Sequence, residues 1–489
     1  MENGSNTAKK YTMSFIALVL AIVIPVLVFT VTVMMMKPQF SETFLGELPE
    51  KYDRLRSAGD GKIVLIGGSS LAFGIDSGEM ESVIGRPVVN FGLYATLGTK
   101  VMLDMSKSGL SRGDIVVLCP EMDTQTLSLY YNSEAMWQAC DSDMSLLFRI
   151  GADNIGDMAG GFWGYAASKI RYANSGGLDV TGIYAKSSFD EYGDIVYERP
   201  YNQMTLGFDP NKYITLSGEI FDDDFIEYVN DYVAWARRRG IEVFFSFPPM
   251  NEDAVLTTDE EEIHEFYQFL YENLDCEVIS EVGDYVLDAG YFYDSNFHLN
   301  DAGVPIRSMQ LCEDIMRAIG STEVVEIVYP DIPEVPVKDD EQHAVTETDF
   351  TETSADAFIV EDFGSGVMIS GIADPGKTLD TIVVPREIGG KRVLALGNAA
   401  FANASAMKTL VIFDNVVQIY DGFLSGATSI ESVYLYNTDC NSVAIGAELL
   451  SGLGTKPTIL VPYEAYGSYV SDYFWGIYAG KLSVIDPPQ

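Results

Sequence analysis

From Tyr11 to Met36 no position is charged, and SFIALVLAIVIPVLVFTVTVMMM is apolar on every side. That run exceeds the roughly 20 apolar residues a helix needs to cross the ~30 Å hydrocarbon core of a bilayer. It predicts one transmembrane helix over 11–36. Bulky Val, Phe and Met continue to its end, where a cleaved leader would carry a small-x-small site, so an anchor is expected. Pro25 is tolerated inside such a helix. Lys9 and Lys10 precede the span and Lys37 follows it. That excess of positive charge predicts a cytoplasmic tail over 1–10 and an extracytoplasmic bulk.

After a polar juxtamembrane connector, 37–60, the pattern changes to short continuous apolar runs. KIVLIGG, PVVNFG, DIVVLCP and IEVFFSFPP are each ended by Gly or Pro, as strands buried on both faces should be. Between the second and third, Val101, Leu103, Met105 and Leu110 recur at helical spacing. DDDFIEYVNDYVAWARRRG has acids in its first turn, arginines in its last and a closing glycine, all helix-end chemistry. Strands alternating with helices predict an α/β domain with a parallel sheet over 61–320. The Tyr-, Gly- and Ser-rich stretch from about 125 to 215 reads as an insertion or cap over that sheet. The three Asp at 222–224 read as the negative first turn of a helix.

The texture changes again after residue 320. Prolines and acids without a period mark 321–356 as an extended linker, because such a stretch buries too little apolar area to offset its ordering entropy. Beyond it VLALGNAAFANASAMKTLVIFDN is echoed by VQIYDGFLSGATSIESVYLYN. Leu396 matches Ile419, Phe401 matches Leu424, Met407 matches Ile430, and Leu410 matches Val433. A period of about 20–29 residues with one short strand per unit is the mark of a solenoid. It predicts a repeat module over 357–489, with a less regular third unit near ELLSGLGTKPTILVP.

Charge narrows the partners. With 72 acidic against 30 basic residues the net charge is −42, which repels phosphate backbones and excludes nucleic acid as a partner. Five scattered cysteines without CxxC spacing give neither a disulfide framework nor a zinc site. Sparse cystine beside an export signal points to a bacterial chain. P-loop, GxGxxG and HExxH patterns are absent from the sequence, so no cofactor and no metal is expected.

The candidate chemistry lies at the two ends of the α/β domain. IGGSSLAFGID follows the first strand, where glycines permit the sharp turn that lifts a serine hydroxyl above the sheet edge. YDSNFHLNDAGV, 293–304, places Asp294 and His298 on one loop before the last helix. An imidazole that takes a serine proton needs a carboxylate to fix its tautomer. Of three histidines, His343 lies in the linker and His264 in an acidic helix, which leaves His298 as the general base. Tyr-rich stretches around Tyr130 and Tyr165 offer either a carbohydrate cleft or cap packing.

These blocks resemble the SGNH or GDSL-like hydrolases. GGSS matches the serine block, with Ser69 at the nucleophile position and Ser70 the alternative. NFG matches the glycine block, and DSNFH matches the Asp-His block with one residue more than usual between the pair. GGSSLAFGID, VVNFGL, GDIVVLCPEMD and the Asp-His loop together look like membrane-anchored bacterial relatives of envelope acyl-transfer proteins. The resemblance implies a three-layer, flavodoxin-like parallel sheet, a catalytic set of Ser69, His298 and Asp294, and an oxyanion donor at Gly92. One block departs. Where the family carries an oxyanion Asn, this chain has Pro120-Glu121-Met122-Asp123. Glu121 protonated by burial, Asn90 standing in, and a weak or inactive relative are the three open explanations.

The repeats resemble BspA-type leucine-rich repeats of bacterial surface proteins, closing element included. An esterase or O-acyltransferase acting on an acylated cell-envelope glycan or polymer is thus implied. The alternative is a non-catalytic adhesion protein in which the repeats bind a protein or matrix partner and the α/β domain is a silent scaffold.

Overall fold

The structure, a computed structural model, describes residues 2–175, 180, 182–204, 207–209, 212–334, 350–438, 440–445, 449–453, 456–466, 469, 475, 478 and 481–485. It is a mixed α/β protein with parallel sheets. Helix α1, Glu2–Met35, contains Pro25 and leads the chain. Its Tyr11–Met35 part, mean hydropathy 3.0, is long and apolar enough to span a membrane.

Residues 37–60, expected as a polar juxtamembrane connector, are folded. Phe40, Phe44 and Leu45 are buried, and α2, Leu48–Ser57, buries Leu48, Lys51, Tyr52 and Leu55. Asp141 holds the turn from the helix exit by accepting the Gln39 and Phe40 amides at 2.6 and 3.0 Å. Sparse, correctly spaced apolar positions among many charges conceal this amphipathic face.

The first sheet contains β1 (Ile63–Gly67), β2 (Val88–Asn90), β3 (Ile115–Cys119) and β4 (Glu242–Phe245). Two-residue strands follow, β5 (Met250–Asn251), β6 (Glu277–Val278) and β7 (Val286–Leu287), with helix α9 (Glu260–Asn273) between the first two. The order is β2-β1-β3-β4-β6, and every pairing is parallel. Alternate side chains enter two cores. Val64, Ile66, Val116 and Leu118 face one, with α2, α5 (Thr99–Ser106) and α8 (Asp223–Arg237). Ile63, Leu65, Ile115 and Val117 face the other, with α4 (Ser77–Ile84) and α10 (Gly303–Ala318). Burial on both faces explains why these strands read as unbroken apolar runs. The acidic start predicted for α8 is present, with Asp223 and Asp224 in its first turn and Asp222 just before it, the Asp222 side chain accepting the Asp224 amide at 2.8 Å.

The 125–215 insertion carries more helix than its composition announces. It includes α6, Ser133–Ala139, and α7, Ile155–Ser175. Tyr165 is fully buried and donates to Asp141, whereas Tyr130 is exposed. The linker too is partly ordered: Val325 is buried on the α10 core and Tyr291 donates to the Pro330 carbonyl. Residues 335–349, with His343, lie outside the described residues.

The second module contains β8 (Phe358–Phe363), β9 (Gly366–Ile372), β10 (Thr381–Val383), β11 (Glu387–Ile388), β12 (Lys391–Leu396), β13 (Thr409–Ile412), β14 (Gln418–Ile419), β15 (Ser432–Leu435), β16 (Ala444–Ile445), β17 (Thr458–Pro462) and β18 (Leu482–Ile485). One sheet runs β10-β13-β15-β17-β18, entirely parallel. In the other, β9, β12, β14 and β16 pair in parallel, while β8 returns antiparallel on β9. Two of the sequence matches are direct neighbours across strands: Leu396 pairs with Ile419, and Leu410 with Val433. Between the sheets Phe401, Leu424, Met407 and Ile430 are all buried. Buried asparagines tie neighbouring segments together, Asn415 donating to the Val393 carbonyl at 2.7 Å and Asn437 to the Val416 carbonyl at 3.2 Å. Most of the closing segment YGSYVSDYFWGIYAG lies outside the described residues.

Candidate active site

Strand β1 ends at Gly67, and after Gly68 the chain turns directly into α3, Ser69–Gly74. A side chain at 68 would run into the Glu121 carboxyl, 2.3 Å from where its Cβ would sit. Glycine there lets Glu121 approach the turn. Ser69 becomes the first residue of α3, with its hydroxyl at the carboxyl edge of the parallel sheet, where open α/β folds place ligands.

The imidazole arrives from the far end of the domain. His298 Nε2 lies 2.8 Å from Ser69 Oγ, and its Nδ1 lies 2.8 Å from Asp294 Oδ1. The bond goes to Ser69. Ser70 is instead fully buried, with its amide given to Glu121 Oε1 at 2.8 Å. The loop that carries Asp294 and His298 closes on itself. Phe292 bridges Leu299, the Tyr293 amide donates to the His298 carbonyl, and Asn300 clamps both sides through the Gly290 and Phe292 carbonyls.

Four neighbours of this set were not singled out from the sequence. The Tyr184 hydroxyl donates to Asp294 Oδ2 at 2.9 Å, so both carboxylate oxygens are held. Phe73 stacks on the His298 ring with centroids 3.9 Å apart and planes 7° from parallel. Buried Arg199 fixes that turn by donating to the Phe73 carbonyl at 2.6 Å. From the second module, the Tyr466 hydroxyl is pushed up to about 12, by burial first and then by the charge of Asp294. None of these carries a sequence motif. Phe73, four residues past the serine, is the one that spacing on α3 offered.

The expected oxyanion donors are arranged differently. Asn90 is fully buried, and its amide donates to the Leu71 carbonyl at 2.9 Å and to Asp194 Oδ1 at 2.7 Å. Its own oxygen accepts the Gly92 amide at 3.1 Å. Asn90 therefore does not stand in for the missing amide, and the Gly92 N–H is directed into an Asx turn, the local bond that Asn makes two residues on. The Asn-Phe-Gly spacing is the sequence signal for that turn. Behind it, buried Lys51 of α2 donates to the Asn90 carbonyl at 3.2 Å and the Gly193 carbonyl at 2.5 Å. The folded connector thus supports the floor of the site.

Ser69 opens α3, which makes its amide a candidate donor for an oxyanion. As the first N–H of a helix it has no intrahelical partner. Glu121 sits beside it, fully buried, and burial raises its carboxyl above the ordinary range more than the Ser70 amide lowers it. A neutral carboxyl does not oppose a developing negative charge as an ionised one would. His264 is exposed, next to Gln268.

No protein-family model and no curated protein matches this chain.

Proposed function

We propose that the chain is a membrane-anchored, extracytoplasmic serine esterase or O-acyltransferase of SGNH type, acting on an acylated cell-envelope glycan or polymer. The observation that carries this reading is the unbroken chain Ser69–His298–Asp294, with two contacts of 2.8 Å. The sheet order β2-β1-β3-β4-β6 supports the SGNH fold, and the pairing of strands 23 residues apart supports a BspA-type repeat solenoid. Tyr11–Met35 supports the anchor, and in this reading the tail before it is cytoplasmic, by the lysine excess ahead of the span.

In this reading Ser69 Oγ attacks the acyl carbonyl carbon while its proton passes to His298 Nε2. Asp294 holds the tautomer and steadies the imidazolium. The tetrahedral oxyanion is met by the Ser69 amide. Collapse breaks the bond to the alcohol, which takes the proton from His298 and leaves an acyl-Ser69 ester. Water or a sugar hydroxyl then attacks that ester with His298 again as base, and regenerates Ser69. Water gives the esterase and a sugar hydroxyl the transferase. A tether to the membrane suits an acceptor fixed in the envelope.

A second reading has its own observation. The oxyanion block holds a carboxyl at Glu121, and Asn90 is committed elsewhere. This favours a silent scaffold carrying a repeat module that binds a surface partner. Labelling of the full-length protein with a fluorophosphonate decides between them. The enzyme predicts labelling that Ser69→Ala abolishes and Ser70→Ala leaves in place. The scaffold predicts no labelling of any form.

A further inference from the structure

The cap carries a surface unlike the rest of this acidic chain. Helix α7 buries Met158, Phe162 and Tyr165 but turns Gly156, Ala159, Gly160, Trp163 and Ala167 outward. Asp157 is the one charged residue among its outward positions from Ile155 to Ala167. Just before it Phe148 is 87% exposed, and its own first residue, Ile155, 66%. On a protein of net charge −42, such a face is not the kind that stays in water.

This face is joined to α1. Phe29 stacks on Trp163, with centroids 5.7 Å apart and planes 15° from parallel, and meets Phe162 edge-on at 6.3 Å. Val33 is buried against the domain. Between the two helices lies a groove of about 660 Å³. Val26, Thr30 and Met34 of α1 form one wall, and Phe148, Met158 and Trp163 of the cap are on the other. Val26 to Met34 covers about 12 Å of helix axis at 1.5 Å per residue, all within Tyr11–Met35. A wall made from the span itself puts the groove at hydrocarbon depth wherever the span crosses a bilayer. Exposed Lys37 and Arg149 adjoin the span's end and Phe148, and cations at that level meet lipid headgroups.

We propose that the cap is seated in the outer leaflet and that the groove between α1 and α7 holds an acyl chain of a membrane phospholipid. The proposal rests on the anchored reading of Tyr11–Met35. Its occupant follows from the walls: they are carbon-rich, open at bilayer depth, and held together by aromatic stacking before any lipid arrives. The α/β domain is then fixed to the membrane plane and does not swing on a tether.

The test uses the full-length protein in nanodiscs of phosphatidylcholine, with one acyl chain either brominated or plain. Bromine quenches tryptophan on contact. The expected result is lower emission in the brominated discs and loss of the quenched component in Trp163→Phe. In native mass spectra of detergent-extracted protein, wild type retains a phospholipid and groove-filling Ala159→Trp loses it. Equal emission in both discs from protein that is embedded overturns the groove and leaves the anchor standing. Protein released from membranes by alkaline carbonate overturns the anchor, and the groove with it.

Discussion

His298 Nε2 and Ser69 Oγ are 229 residues apart in the chain and 2.8 Å apart in space. The contact exists because β1 ends at the serine turn while α10, on the same sheet, is preceded by the histidine loop. The hydroxyl and imidazole therefore meet at one sheet edge without a long loop to span the gap.

Asp294 is held from both sides, by His298 and by Tyr184. Asp294→Asn should lower the fluorophosphonate labelling rate by on the order of 10⁴, because an amide no longer fixes the tautomer with Nε2 free to accept. Tyr184→Phe should cost less, about 1.5–3 kcal/mol for one hydrogen bond to a charged acceptor. Labelling rates of the two variants check both the order and the size.

Glu121 should be needed in its neutral form. Burial raises its carboxyl, so ionisation on the alkaline side places a charge beside the oxyanion and slows the reaction. Glu121→Gln keeps an acceptor for the Ser70 amide and removes that alkaline loss. The comparison is a pH–rate profile of labelling, in which wild type falls with rising pH where the variant does not. Stability follows the same sign: a carboxyl raised in the folded state loses stability as pH rises above its unfolded value.

Asp194, with its carboxyl pushed up to about 6 by burial, gives a second pH dependence. Below the unfolded value of 3.8 both states hold the proton and folding pays no penalty. Between 3.8 and 6 the unfolded chain ionises first, so stability falls as pH rises, by about 3 kcal/mol in all for roughly two units. Above 6 the loss is complete. Chemical denaturation at pH 4 and pH 7 should show this drop in wild type and a smaller one in Asp194→Asn. The variant also weakens contacts to Ser77 and Asn90, which lowers its stability at both pH values.

In the repeat module Asn415→Ala leaves the Val393 carbonyl without its buried partner. The expected cost is about 1–3 kcal/mol. Thermal unfolding should report it, while fluorophosphonate labelling of Ser69 at 25 °C stays at the wild-type rate.

Much of this was legible along the chain. Strands β1 to β4 could be read because burial on both faces removes polar alternation, and the 23-residue echo could be read because parallel neighbours meet the same environment. Ser69, Asp294 and His298 stood out through turn chemistry and the scarcity of histidine. Local bonding was less legible: Asn90 takes the Gly92 amide two residues on, a turn its spacing permits but does not require. The folding of 37–60 was not legible because its few apolar residues are outnumbered by charges, although each one packs on the core.

The sequence by itself determined the apolar span, the parallel α/β order, the repeat period and the Ser, His and Asp of the candidate site, since these depend on composition and short-range periodicity. Only the tertiary structure decided that Phe73 stacks on His298, that Tyr184 holds Asp294, that Lys51 supports Asn90, and that Trp163 meets Phe29. Each of those joins segments whose separation in the chain bears no relation to their distance in space. Packing sets such contacts, and no local pattern encodes them.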